Sequence, residues 1–127
     1  MPNRLQLHTW KLLASVWFAF TTYLLVIPGD ALPKTNLVSI PYFDKLVHIG
    51  LFAILCALWL KSRKNRSATF NVIVVLATIA YGVAMEFVQR DFVENRSFDV
   101  VDIVADSFGA LIGWGIFSRS SRINLKS

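Results

Sequence analysis

The chain has 127 residues, of which 55% are apolar and 13% aromatic, and its formal net charge is +5. This apolar content is above that of ordinary soluble domains and is concentrated in long runs, which favours a single membrane domain, residues 1–127. Nothing in the composition suggests a nucleic-acid partner, and a single cysteine, Cys56, excludes an intrachain disulfide.

Four apolar runs predict four transmembrane helices at about residues 10–28, 41–61, 68–89 and 98–117. Each run is close to the roughly 20 residues that a helix needs to cross a hydrocarbon core. A soluble four-helix bundle would show polar stripes on its solvent side, and the second and third runs show none. A cleaved signal peptide is disfavoured because the first run is long and no clear small-x-small site follows it.

Charge predicts the orientation of these helices. Nine basic residues fall on the side of both termini and of the loop between the second and third helices, and four fall on the other side. Since basic residues are retained in the cytoplasm, both termini are predicted to be cytoplasmic, in the plasma (inner) membrane. The eight carboxylates all fall on the opposite side or in the outer halves of helices, where recognition or chemistry is expected.

The second helix is predicted to begin at Pro41 and to present Asp44 and His48 one turn apart on one face. Asp44 could accept a hydrogen bond from the imidazole and so fix its tautomer. The simpler alternative is that His48 is a hydrogen-bonded core residue without a function of its own. An ionisable residue inside a membrane segment, however, usually indicates a functional or pairing site.

The third and fourth helices place further polar residues at similar depth. Gly82, Glu86 and Gln89 share a face of the third helix. Ser97 is the predicted N-cap of the fourth helix, in which one face contains, in order, Asp99, Asp102, Asp106, Gly109 and Gly113. The three glycines are predicted helix-packing positions, because a missing side chain lets another backbone approach closely.

Lipid offers no partner to a polar group, so these stripes must converge. The sequence therefore predicts an outward-facing polar pocket, with an ion pair between Arg96 and a carboxylate and with anion contacts from basic residues at its rim. The predicted pocket residues are Asp44, Lys45, His48, Glu86, Gln89, Arg96, Asp102 and Asp106, and the predicted rim cations are Lys45, Arg90 and Arg96.

These residues resemble the VanZ-like membrane proteins. The similarity covers about residues 41–117 and rests on D-K-x-x-H at Asp44 to His48, E-x-x-Q at Glu86 to Gln89, Arg96, Asp102, and G-x-x-x-G at Gly109 to Gly113. The resemblance implies a small polytopic membrane protein, and the founding member of the family is associated with resistance to the glycopeptide teicoplanin. The family typically has Asn where this chain has Asp106.

Four functions remain open at this point. The first is a cell-envelope protein that recognises or modulates a lipid-linked or envelope ligand, with membrane lipids as further partners. The others are an intramembrane enzyme using a metal or acid/base chemistry on a lipid headgroup, proton-coupled transport, and a structural polar latch without chemistry. Standard catalytic and metal-binding motifs are absent from the sequence, so no cofactor or metal is predicted. The oligomeric state is left open.

Overall fold

The protein is described by a computed structural model covering residues 2–31, 40, 42–64 and 67–126, with side chains through residue 123. Its helices are α1 (Arg4–Val26), α2 (Phe43–Lys61), α3 (Ala68–Phe92) and α4 (Val100–Lys126), and a short 3-10 turn, Gly29–Ala31, follows α1. Each of the four α-helices is long and apolar enough to cross a membrane. The predicted all-α, four-helix membrane protein is therefore confirmed.

Three of the four helices extend beyond the predicted runs at one end: α1 at its start, and α3 and α4 at their ends, whereas α2 begins at Phe43, two residues after its predicted start. The first begins at Arg4, not near residue 10, because Asn3 and Gln6 form a capping box in which each side chain accepts the other's backbone N–H. The last continues to Lys126, well past residue 117. Pro41, the predicted first residue of the second helix, lies outside the described residues.

Helix α2 packs against all three other helices, and its most extensive contact is with α4. The glycines of α4 make this contact close: a Cβ atom at Gly109 would lie 2.5 Å from the carbonyl oxygen of Ile49, and one at Gly113 would meet the backbone of Ala53. The backbones of α2 and α4 are thus in direct contact, and the polar residues of α2 lie beside those of α4.

The helices run alternately up and down. The bundle therefore has two ends, and these differ in the charges that they contain. At one end, hereafter the basic end, the ammonium of Lys61 lies 4.6 Å from the centroid of the Trp10 ring. At the other, hereafter the acidic end, Gly29 donates a backbone hydrogen bond of 3.1 Å to the carbonyl of Glu94, joining the two connections there.

Large apolar side chains cover the outside of the bundle, as the 65% exposure of Leu12 and the 62% exposure of Val104 illustrate. Inside, one apolar cluster around Cys56 and Leu60 lies toward the basic end, and a second contains Leu51 and Phe52. An apolar surface around apolar clusters is the arrangement of a multi-pass membrane protein. The polar residues of the next section lie between the second cluster and the acidic end.

Candidate functional site

Lys45 joins α2 to α4 through carboxylates. Its ammonium nitrogen lies 2.6 Å from Asp99 Oδ2, 2.5 Å from Asp102 Oδ1 and 2.9 Å from Asp44 Oδ2. One ammonium has three hydrogens to donate, so three acceptors use its full donor capacity. Lys45 is thus engaged by carboxylates, whereas it was predicted to contact an anionic ligand.

Asp99 connects three helices. Its Oδ1 accepts from the backbone N–H of Val101 at 2.9 Å, which makes it the N-cap of α4 in place of the predicted Ser97. Its Oδ2 accepts from Lys45, and its backbone N–H donates to Glu86 Oε2 at 2.9 Å. The neighbouring Lys45 ammonium holds the pKa of the Asp99 carboxyl below its ordinary value, so this cap is ionised at neutral pH.

The imidazole of His48 meets the acids of α4. Its Nδ1 is 2.8 Å from Asp106 Oδ1, and its Nε2 is 3.8 Å from Asp102 Oδ2. Asp44, the partner that the sequence favoured, pairs with Lys45 instead, and its side chain is 66% exposed. Asp44 and His48 lie one turn apart on one face, but the ammonium of Lys45 attracts the Asp44 carboxylate while the acids of α4 engage the imidazole.

Glu86 reaches the same point from α3. Ligand-type atoms of His48, Glu86 and Asp106 all lie within 4.8 Å of one another, and the three residues are buried. We call these three residues the buried triad. Such a set could hold a divalent metal ion or exchange a proton, although the sequence predicted no metal site.

Gly82 and Phe52 close the inner side of the buried triad. A Cβ atom at Gly82 would lie 2.8 Å from Asp106 Oδ2 and 3.1 Å from Phe52 Cε1, so the missing side chain leaves the space that this carboxylate occupies. The ring of Phe52 stacks on that of Tyr81 with centroids 5.6 Å apart. These aromatic rings mark where the polar groups give way to the apolar core.

Exposure falls steadily from the acidic end inward. The side chains of Asp44, Asp99, Asp102 and Asp106 are 66%, 37%, 12% and 2% exposed, respectively. We call this series, together with Lys45, His48 and Glu86, the polar column. It contains five carboxylates but only one lysine and one histidine, so acceptors and negative charge predominate.

Gln89 and Arg96 have a different role, because both bind the C-terminal end of α1. Gln89 donates to the carbonyl of Leu25 at 2.8 Å, and Arg96 donates to those of Ile27 and Leu24 at 3.3 and 3.5 Å. The last carbonyls of a helix have no partner within it, so these side chains satisfy acceptors that lipid could not. Arg96 thus bonds to backbone carbonyls where a carboxylate was expected, and Arg90 pairs with Asp91.

Asp99 and Phe52 belong to the site but were not among the predicted pocket residues. Asp99 was recognisable, because it continues the Asp102 and Asp106 stripe by one turn. Phe52 gave no signal, since an aromatic residue in an apolar helix is indistinguishable from a core residue.

Two cavities, of about 470 and 530 Å³, lie away from the acidic end. Residues of the basic end and of the middle of the bundle line them, including Arg119 in the first and Trp59 and Arg63 in the second.

Of the comparisons with known proteins, one identifies the family of the chain. Neither the curated proteins nor the solved structures contain a match to it. The family described as VanZ/LLP1 matches residues 2–122, nearly the whole of the 127-residue sequence. The match includes every residue of the polar column and the glycines of α4, and on this basis the chain belongs to the VanZ/LLP1 family.

Proposed function

We propose that this protein resides in the plasma membrane, with its acidic end outward, and binds the polar headgroup of a lipid-linked or other cell-envelope ligand. The observation that supports the proposal is the polar column, which leads without a break from the exposed Asp44 to the buried triad. Buried ionisable groups within a membrane protein usually serve a ligand, a proton or an ion.

The charges of the column define the class of headgroup. Lys45 already has three carboxylate partners, and Arg90 and Arg96 are bonded elsewhere. An ionised carboxylate only accepts hydrogen bonds, so the column favours a headgroup rich in hydroxyl or amino groups over a bare anion. The apolar flanks of the helices provide a surface for the lipid tail.

Native mass spectrometry of the protein released from its own membranes tests this function. Wild type is expected to retain a specific lipid adduct, and Asp44→Asn is expected to weaken it, since Asp44 forms the mouth of the column. Asp44 is largely exposed, so the variant should fold normally. Asp91→Asn is the matched control, because Asp91 is a half-exposed acid near the same end that pairs with Arg90 outside the column.

Two results would reject headgroup binding. Wild type without any specific adduct is one, and equal loss of the adduct in Asp44→Asn and Asp91→Asn is the other. The first result leaves the polar latch as the account of these residues, in agreement with their many mutual hydrogen bonds. In cells, the corresponding readout is teicoplanin susceptibility, which we expect to change with the level of wild-type protein and not with that of Asp44→Asn.

A second candidate is an intramembrane enzyme that acts on a lipid headgroup. The specific observation in its favour is the contact between His48 and Asp106 beside Glu86, since an imidazole oriented by a carboxylate is a common acid/base arrangement. Incubation with lipids from the same membranes should then change a headgroup mass in a reaction that His48→Gln abolishes. Unchanged lipid masses with wild type would exclude this activity for those lipids.

A further inference from the structure

The buried triad has a composition that a simple hydrogen-bonded latch does not require. It combines one imidazole with two carboxylates, and His48, Glu86 and Asp106 are 6%, 1% and 1% exposed. Each residue comes from a different helix, respectively α2, α3 and α4. Three potential ligands therefore converge at one point that lipid and water barely reach.

The geometry is close to that of a metal site. Imidazole nitrogen and carboxylate oxygen bind zinc at about 2.0–2.2 Å, so two ligand atoms of one tetrahedral ion lie roughly 3.3 to 3.6 Å apart. The ligand atoms of the triad lie within 4.8 Å of one another. A contraction of up to about 1.5 Å, which side-chain rotations can supply, would bring all three onto one ion.

The negative charges of the buried triad also favour a bound cation. The described hydrogen bonds of Lys45 go to Asp99 and Asp102 and not to the two acids of the triad. Burying carboxylates without a counter-charge is costly, so Glu86 and Asp106 need either protons or a cation. A divalent ion between them would neutralise both at once, and a neutral imidazole would be the third ligand.

The surroundings of His48 fit a ligand in one particular tautomer. If Nδ1 binds the ion in place of its present contact with Asp106, the proton of the imidazole lies on Nε2, which is 3.8 Å from Asp102 Oδ2. Metal-binding histidines usually donate their other N–H to a carboxylate, which orients the ring and raises its basicity. Asp102, itself held by Lys45, would become a positioning residue for this ligand once metal binding brings its Oδ2 from 3.8 Å into hydrogen-bond range of Nε2.

We propose that His48, Glu86 and Asp106 form a binding site for a divalent transition-metal ion such as Zn²⁺ or Mn²⁺. One nitrogen and two oxygen ligands suit these ions better than Ca²⁺, which prefers oxygen alone, or Cu⁺, which prefers sulfur. Three protein ligands leave a coordination position for water or for a ligand group. The site does not depend on headgroup binding, and either proposal can fail while the other stands.

The test uses the full-length protein in detergent, stripped with a chelator and reloaded with Zn²⁺. After removal of excess metal, wild type is expected to retain a stoichiometric amount by elemental mass spectrometry. Asp106→Asn preserves size and removes a charged ligand, and we expect it to weaken Zn²⁺ binding by about 100-fold or more. Loss of the positioning residue in Asp102→Asn should weaken it by about 10- to 100-fold. Asp91→Asn is the control for metal bound to surface acids and should match wild type.

Two outcomes would overturn the site: metal retained equally by wild type and by a folded Asp106→Asn variant, or metal lost equally from Asp91→Asn. Co²⁺ added to wild type provides a measurement that does not depend on any variant folding. We expect the visible absorption bands of a four- or five-coordinate ion with nitrogen and oxygen ligands. A spectrum identical to that of hydrated Co²⁺ would reject the proposal even if every variant misfolds.

Discussion

Lys45 links α2 to α4 through two ion pairs. Its two partners on α4 differ in exposure: the Asp99 side chain is 37% exposed and that of Asp102 is 12% exposed. Removal of the lysine would leave the more buried carboxylate without a counter-charge, which costs more than the loss of an exposed pair.

We therefore expect Lys45→Met to lower the free energy of unfolding in detergent by about 2 kcal/mol. This loss is smaller than that for breaking a fully buried ion pair, because the pair of Lys45 with Asp102 is partly exposed. Asp102→Asn in the same chain should recover much of this loss, since the uncompensated charge is then removed. A double-mutant cycle measured by denaturant or thermal unfolding gives the coupling. Additive effects of the two substitutions would contradict a direct interaction.

Arg96 and Arg90 form a matched pair for a second prediction. Arg96→Ala removes both long hydrogen bonds to the carbonyls of Ile27 and Leu24, and we expect a loss of stability of about 1 kcal/mol. Arg90 pairs with Asp91 on an exposed surface, so Arg90→Ala should leave the unfolding midpoint unchanged. Equal effects of the two substitutions would argue against a role for Arg96 in fastening α1.

At this scale the sequence identified the polar residues better than their partners. Helical spacing alone selected His48, Glu86, Asp102 and Asp106, because one face of a helix follows from the sequence. The contact between His48 and Asp106 could not be derived in that way, since it depends on the axial position of α4 relative to α2. Arg96 was likewise assigned to a carboxylate. Its actual acceptors are unpaired carbonyls at the end of α1, and these can be identified only once the last residue of that helix is known.

Gly109 and Gly113 allow the close contact between α2 and α4, whereas Gly115 of the same helix takes no part in it. A Cβ atom at Gly109 would meet the Ile49 carbonyl, whereas one at Gly115, on the same helix, would have nothing within 4 Å. Because backbone atoms cannot rotate away as a side chain can, an added methyl group at the first position must separate the two helices.

Gly109→Ala is accordingly expected to destabilise the protein by about 1–3 kcal/mol, the usual range for overpacking. Gly115→Ala should be neutral or slightly stabilising, because alanine favours the helix by up to about 1 kcal/mol over glycine. Thermal unfolding of both variants in one detergent makes the comparison. A stable Gly109→Ala variant would mean that the backbones are further apart than the structure shows.

The extents of the helices were predictable only in part. The apolar runs predicted the number and order of the helices, because the membrane requires long apolar segments. The first turns of α1 were missed, since their stability comes from the capping box of Asn3 and Gln6 and not from hydrophobicity. The polar last turns of α4 were missed for a related reason: a helix can continue beyond the bilayer without any apolar signal.

For the whole molecule, the separation of acidic and basic ends predicts its orientation in the membrane. In a Cys56→Ala background, Glu94→Cys should react with a membrane-impermeant maleimide added to intact cells, and Lys64→Cys should react only after the membrane is opened. Both positions are exposed, in connections at opposite ends of the bundle. The reverse labelling pattern would place the acidic end in the cytoplasm and would contradict headgroup binding at the outer surface.

The partnership of Lys45 with Asp99 and Asp102 also bears on how the protein is made. Lys45 enters the membrane with α2, whereas Asp99 and Asp102 are synthesised later, at the beginning of α4. Until then the ammonium group has only the largely exposed Asp44 as a carboxylate partner, and an incompletely paired charge near the bilayer is costly in lipid. Insertion of α4 therefore adds the ion pairs that join it to α2, and a chain cut short before α4 would display a lysine without two of its three carboxylate partners, which membrane quality control could detect.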